Sequence, residues 1–100
     1  MLKVVAIRPS TSREKKLDIV LETEAGRRKT VRIGMRTMSD FTQHKDEERK
    51  KAYIARHQAR EDWTMTGATT AGFWARWLLW NKPTLEASKQ DVFQRFSFLK

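Results

Sequence analysis

Apolar and polar residues alternate in the first third of the chain, and this pattern predicts three β-strands. Residues 2–8 are rich in β-branched side chains and stop at Pro9, which cannot donate a hydrogen bond to a sheet. Residues 17–22 and 30–36 alternate with a period of two, and Gly26 lies in a turn between them. We expect an antiparallel meander over residues 1–36 with one covered face. Its inward positions are Leu17, Ile19, Leu21, Val31, Ile33 and Met35, which leaves Asp18, Val20 and Glu22 facing outward.

From residue 44 onward the spacing of apolar residues becomes helical. Residues 37–43 are interpreted as a linker, and residues 44–62 as a polar, basic helix on the surface. The apolar stripe of this helix is narrow, so we expect it to attach through Tyr53, Ile54 and His57. Residues 84–99 are predicted to form an amphipathic helix capped by Thr84. One face of that helix would carry Leu85, Ser88, Val92, Phe93, Phe96 and Leu99, with Phe98 at its edge.

The stretch TTAGFWARWLLWNKP is the most apolar part of the chain. It predicts a short buried helix over residues 70–82, capped by Thr69 or Thr70 and ended by Pro83. Trp77 lies at its centre, and the run is shorter than the ~20 apolar residues that cross a bilayer. Since the helix also holds Trp74 and Trp80, we expect one of these two to reach the surface as a protein contact.

Together these elements predict one domain over residues 1–100. The fold class is α+β, with a three-stranded antiparallel meander followed by three helices packed on one face. The chain has 100 residues and no cysteine, which excludes disulfides and thiolate chemistry. Its first residues carry Lys3 within a strand-like pattern and do not resemble a secretory signal, so we expect neither secretion nor a membrane span.

Charge is distributed unevenly along the chain. The net charge is +9, and the first sixty residues hold 16 Lys and Arg against 8 Asp and Glu. A small basic protein attracts phosphate polymers, although solubility alone is an alternative explanation. The candidate phosphate-binding residues lie at the hairpin tip, along the third strand and at helical spacing: Arg27, Arg28, Lys29, Arg32, Arg36, Lys45, Arg49, Arg56 and Arg60. For the helix, internal pairs of Asp46 with Lys50 and of Glu47 with Lys51 are an equal alternative.

The two histidines are the only candidates for metal or acid–base chemistry. His44 and His57 are thirteen residues apart. On one straight helix this separation is roughly 19 Å, too far to share an ion. We expect His57 to pack near Tyr53 and His44 to brace the start of the helix. Phosphate-binding loops, dinucleotide fingerprints and nucleophile elbows are absent from the sequence, so we predict no catalytic, cofactor-binding or metal-binding residue.

Two phrases, MSDFTQHKDEERKKAYIARHQAREDW and TAGFWARWLLWNKPTLEASKQDV, resemble a family of small uncharacterised proteins. Large nucleocytoplasmic DNA viruses of algae and amoebae, of the phycodnavirus and mimivirus type, encode that family. The matching positions are Ser39, Asp40, Thr42, His44, Lys45, Asp46, Arg49, Lys50, Tyr53, Arg56, His57, Trp63, Thr70–Trp74 and Trp77–Pro83. The resemblance does not cover the strands and implies no activity.

The resemblance implies a viral protein that acts inside the host cell or in the virion. Three functions are then open. The first is a non-catalytic module that binds nucleic acid or phosphate. The second is a minor structural protein of the virion or capsid that contacts other viral proteins. The third and weakest is a subunit of an enzyme that depends on His44 or His57.

Overall fold

A computed structural model describes residues 2–96 and has the meander that the sequence predicts. Strands β1 (Lys3–Pro9), β2 (Lys15–Glu22) and β3 (Arg28–Met35) form an antiparallel sheet in the order β1-β2-β3. The register pairs Ile19 with Ile7 on one side and with Val31 on the other. Because directly opposed residues share a face of the sheet, these residues form one apolar face. The α+β class with helices after the sheet is therefore confirmed.

The central strand β2 is buried on both faces, so the prediction that it is only half buried is wrong. Asp18 and Val20 point away from the helices, yet they are 0% and 7% exposed. Val20 is flanked by its partners Ala6 and Thr30 on the neighbouring strands. Asp18 is enclosed by polar groups, since Ser10 Oγ donates a hydrogen bond to it at 2.6 Å and Arg32 lies 3.4 Å away. We call this side of the sheet, with Asp18, Val20 and Glu22, the open face, because it points away from the helices.

The prediction that Met35 points inward is wrong. Its side chain is about half exposed. It is the last residue of β3 and pairs with Lys15 at the start of β2, so it lies at the end of the sheet. Gly34 next to it has a φ of 76°, a left-handed conformation that suits glycine. Val31 and Ile33, in contrast, are buried against the helices as predicted.

A short helix begins within residues 37–43, where the sequence predicts only a linker. Helix α1 (Phe41–His44) is capped by Asp40, whose side chain and that of Gln43 form a reciprocal capping box. An acidic residue followed three positions later by Gln is the signal that predicts such a start. Phe41 is 1% exposed and anchors this turn in the protein.

The basic helix is shorter than predicted over residues 44–62. Helix α2 (Glu47–His57) begins only after Lys45, whose φ of 55° interrupts the helical backbone. Asp46 then caps α2 by accepting hydrogen bonds from the backbone N–H groups of Glu48 and Arg49. Tyr53 is buried and Ile54 and His57 are partly buried, so these residues attach the helix as expected.

The tryptophan-rich helix is also shorter than predicted over residues 70–82, and it changes type along its length. A short 3-10 turn (Met65–Gly67) precedes α3 (Ala71–Trp74), which Thr70 caps. The chain then continues directly into a π-helix (Ala75–Leu79), closed by a hydrogen bond from Trp80 N to Ala75 O. Phe73, Trp74 and Leu78 pack against the sheet and are fully buried, whereas Trp77 is only partly buried.

The last helix begins where the sequence predicts. Helix α4 (Leu85–Arg95) is capped by Thr84 and buries Ser88 and Val92. Phe96 packs against the core at its end, and the predicted positions Phe98 and Leu99 lie outside the described residues. Within the described part of the chain, no helix has the length and apolar character needed to cross a membrane.

Candidate functional site

Four aromatic rings follow one another between α2 and the end of the π-helix. The ring of Tyr53 stacks on that of Trp80 with centroids 4.4 Å apart, and on its other side lies His57 at 4.2 Å. His44 approaches the indole of Trp80 at 5.3 Å. The stack therefore holds α1, α2 and the π-helix together. Burial, aided by the negative charge of Glu61, raises the pKa of the Tyr53 phenol to about 12.

The histidines occupy the positions that the sequence predicts for residues with a packing role. His57 stacks on Tyr53, and its Nδ1 lies 3.2 Å from a carboxylate oxygen of Glu61. The Nδ1 of His44 accepts a hydrogen bond from the backbone N–H of Asp46 at 2.9 Å, which braces the start of α2. Within residues 2–96, no three His, Asp or Glu side chains gather in a way that could hold a metal ion.

A groove of about 450 Å³ lies beside the stack, and we call it the Tyr53–Trp80 groove. Four segments line it: Lys16 of β2, the end of β3 with the turn after it, helix α2, and the π-helix with Trp80. The main side chains from these segments are Met35, Met38, Arg49, Arg56, Leu79 and Trp80. The groove thus combines an apolar, aromatic surface with cations from α2.

Two of the candidate cations, Arg49 and Arg56, lie on this groove. Both are exposed, and among residues 2–96 neither guanidinium has an acidic partner within 4.0 Å. Lys16 also lines the groove, but its ammonium contacts Asp40 at 2.6 Å and is neutralised there. The groove therefore presents unpaired positive charge on the α2 side only.

The alternative of a helix with internal pairs four residues apart is wrong for α2. Neither Asp46 with Lys50 nor Glu47 with Lys51 forms an ion pair; within the described chain, Lys51 contacts Glu48 instead, at 3.7 Å. Asp46 is occupied as the N-cap, which explains the absence of its pair with Lys50. Lys50 turns toward the ring of Phe41, 4.8 Å from its centroid, and partial burial there lowers the pKa of its ammonium.

The hairpin tip does not continue into a single basic strip along β3. Lys29 opposes Leu21 on the face toward the helices, whereas Arg28 and Arg32 oppose Glu22 and Asp18 on the open face. Both of these arginines contact the opposed acid, at 3.5 Å and 3.4 Å. At the tip, Arg27 and Lys29 are exposed and have no acidic partner within residues 2–96.

Three further candidate cations bind the backbone of their own chain. Arg36 donates hydrogen bonds to the carbonyls of Lys15 and Ser10, at 2.6 Å and 3.1 Å, and so fixes the loop between β1 and β2. Arg36 is exposed, but its guanidinium is therefore already engaged within the chain. Lys45 donates to Thr42 O, and Arg60 donates to Arg56 O. Of the nine candidates, Arg27, Lys29, Arg49 and Arg56 have the side chains that are free for a ligand.

Of the two tryptophans considered as protein contacts, only Trp80 reaches the surface. Trp74 is 0% exposed, and its indole N–H donates a hydrogen bond to Ala68 O at 2.7 Å. Trp74 is therefore part of the core, and its candidacy as a protein contact is wrong. Trp80 is partly exposed where it borders the groove.

The fold and the groove define a small basic α+β domain with an aromatic, cation-lined groove. Residues 5–57 match the model of a family of unknown function, DUF5754. The match spans nearly all of the sheet, α1 and α2, which is more than half of the chain, so the chain belongs to this family. No curated protein and no solved structure matches the sequence significantly.

Proposed function

We propose that this protein is a non-catalytic module that binds nucleic acid through its phosphates. The observation that carries this proposal is the pair Arg49 and Arg56, which are exposed on one groove and have no acidic partner in the described chain. Unpaired arginines are suited to phosphate, because the guanidinium group can donate two parallel hydrogen bonds to it. The net charge of +9 would add long-range attraction to the same polymer.

The hairpin tip supplies a second contact in this proposal. Arg27 and Lys29 lie just before and at the start of β3, whereas the groove borders its other end at Met35. Seven steps of ~3.3 Å place the two regions roughly 23 Å apart along the strand. A polymer of phosphates can bridge such a distance, whereas one small anion cannot.

Salt-dependent binding to random-sequence DNA tests the proposal. At about 50 mM salt we expect the protein to bind a duplex of any sequence and to lose affinity as salt rises. Replacing Arg49 and Arg56 by Gln should weaken binding and lower the slope of log affinity against log salt by about 1.8. The control replaces Arg8 and Arg13, two exposed arginines outside the candidate set, by Gln. Absence of binding at low salt, or equal losses in both double variants, would refute the proposal.

A minor structural role in a virion is the second candidate. It is supported by Met35 and Met38, which are 51% and 63% exposed beside the partly exposed Trp80, because such apolar surface often marks a protein contact. Viral origin, and a place in the host cell or virion, follow only from the sequence resemblance. Co-purification with virions would favour this candidate. A histidine-dependent enzyme is disfavoured by the packing roles of His44 and His57.

A further inference from the structure

The Tyr53–Trp80 groove has the dimensions of a ligand site. Its volume of about 450 Å³ falls within the ~300–1,000 Å³ typical of pockets for small molecules. Met35 and Met38 line it from the β3 side and are both more than half exposed. Methionine sulfur makes favourable contacts with aromatic rings, and its flexible side chain adapts to flat ligands. The groove is therefore suited to a planar, largely apolar group.

The charges along the groove specify what that planar group carries. Arg49 and Arg56 are seven residues apart on α2, which places both on the same side of the helix, ~10.5 Å from each other. Lys16 on the opposite side is already paired with Asp40. A ligand with an apolar planar body and anionic groups on one side complements this arrangement. A nucleotide within a strand has this chemistry, with a base between flanking phosphates.

We propose that the Tyr53–Trp80 groove takes an unpaired base of single-stranded nucleic acid, while Arg49 and Arg56 contact the adjoining phosphates. The inference rests on the proposed function and deepens it, since it specifies single strands. In a duplex the bases are stacked and paired, so that only an unpaired base can enter a groove of this kind. Both faces of Tyr53 are covered, by Trp80 and His57, so the partly exposed Trp80 is the ring of the stack that the base can reach. Stacking of one base on an aromatic side chain strengthens binding by roughly five- to 150-fold.

A variant that fills the groove tests the inference. Ala52 lines the groove from α2, and Ala55 is exposed on the same helix outside the groove. We expect Ala52→Phe to lower the affinity for a labelled oligothymidylate at least fivefold and to leave duplex binding unchanged. Ala55→Phe is the matched control and should change neither affinity. Equal melting temperatures of the two variants would show that both are folded.

A second measurement follows the methionine methyl groups by NMR. The chain has four methionines, and the exposed Met65 lies outside the groove. An oligothymidylate or thymidine monophosphate should shift the Met35 and Met38 methyl signals and leave that of Met65 in place. Inorganic phosphate alone should leave all three in place, because it lacks the base.

Each outcome decides between the two proposals. If the parent binds duplex DNA but Ala52→Phe leaves oligothymidylate binding unchanged, the groove inference fails and the phosphate-binding function stands. If the parent binds neither form, both fail. If an acidic, leucine-containing peptide shifts the Met35 and Met38 signals and the oligothymidylate does not, the groove is a peptide site and the inference is overturned.

Discussion

Tyr53 lies parallel to Trp80, with their ring planes only 5° apart and their centroids separated by 4.4 Å. This contact joins the middle of α2 to the residue that follows the π-helix. Since Tyr53 is the single tyrosine of the chain, its phenol reports on the contact without interference from other tyrosines.

Titration of Tyr53 should be displaced to high pH. Burial raises the pKa of its phenol from 10.0 to about 12, which near-ultraviolet absorbance can follow directly. Because the folded-state pKa is raised, the contribution of this group to stability is complete below pH 10 and is lost as pH rises toward 12. The variant Tyr53→Phe should lack that alkaline loss. A phenol that titrates at its ordinary pKa would mean that Tyr53 is not buried against Trp80.

Substitution of Gly34 should destabilise the protein more than substitution of Gly26. Both glycines have positive φ, so alanine is strained by ~1–2 kcal/mol at either site. At Gly34 the added Cβ would also lie 2.9 Å from Leu79 Cδ1 and 3.0 Å from Lys16 Cδ, whereas at Gly26 it meets nothing within 4 Å. We expect Gly34→Ala to lower the free energy of unfolding, measured with urea, by a further ~1–3 kcal/mol. Equal losses at the two positions would contradict this packing.

Truncation of Trp74 should be the most damaging change in the tryptophan-rich helix. Trp74→Ala removes a fully buried side chain, and we expect a loss of ~3–5 kcal/mol, near the lower end of a domain's total stability. Trp77, which the sequence places at the centre of the helix, is partly exposed. Trp77→Ala should therefore lower the free energy of unfolding by less than Trp74→Ala does. Thermal or urea unfolding of the two variants checks the order. The reverse order would mean that Trp77, and not Trp74, contributes more to the core.

Asp18 should contribute to the loss of stability in acid. The hydrogen bond from Ser10, backed by Thr11 and the nearby Arg32, holds the pKa of this carboxyl below its usual value of 3.8 despite burial. Because the folded-state pKa is lowered, the stabilisation is present above pH 3.8 and is lost as pH falls through the folded-state value. Asp18→Asn and Ser10→Ala should both lower stability at neutral pH and flatten its fall in acid. An unchanged acid limb in Asp18→Asn would assign that limb to other carboxyls.

Neutralising the hairpin tip should weaken nucleic-acid binding without unfolding the protein. Arg27, Arg28 and Lys29 replaced together by Ser remove three exposed charges, and a surface turn contributes little to the fold. Arg28 is paired with Glu22, so if Arg27 and Lys29 each contact one phosphate, the salt slope on duplex DNA should fall by ~1.8 in total. The loss should be similar for unrelated sequences, because phosphate contacts carry no base information. A slope equal to that of the parent would mean that the basic tip does not contact phosphates and serves a protein partner or solubility instead.

Local signals predicted much of the fold. The alternation of Leu17, Ile19 and Leu21 was sufficient for β2. Thr84 was identified as a helix cap from its position before a helical run, and Thr70 was one of two candidates for the cap of α3. The burial of Asp18 was not predictable in this way. It depends on Ser10, on Arg32 across the sheet and on the central place of β2, and none of these is visible in the alternation itself.

The groove was even less predictable from the sequence than the burial of Asp18. Met35, Tyr53 and Trp80 come from three separate segments, and only tertiary packing brings them to one site. The sequence indicated that α2 is basic, but it did not show which cations are free. That distinction depends on Asp46 acting as a cap and on Arg36 binding the carbonyls of Lys15 and Ser10.

The π-helix over Ala75–Leu79 holds one residue more in its turn than an α-helix does, because its hydrogen bond joins residues five apart instead of four. A relative that is one residue shorter in this segment would form an ordinary α-helical turn and still bring the residue at the Trp80 position to nearly the same side. A length difference of one residue here is therefore expected to preserve both the sheet and the aromatic stack. Substitutions at Tyr53 or Trp80, more than this change of length, would mark which relatives lack the groove.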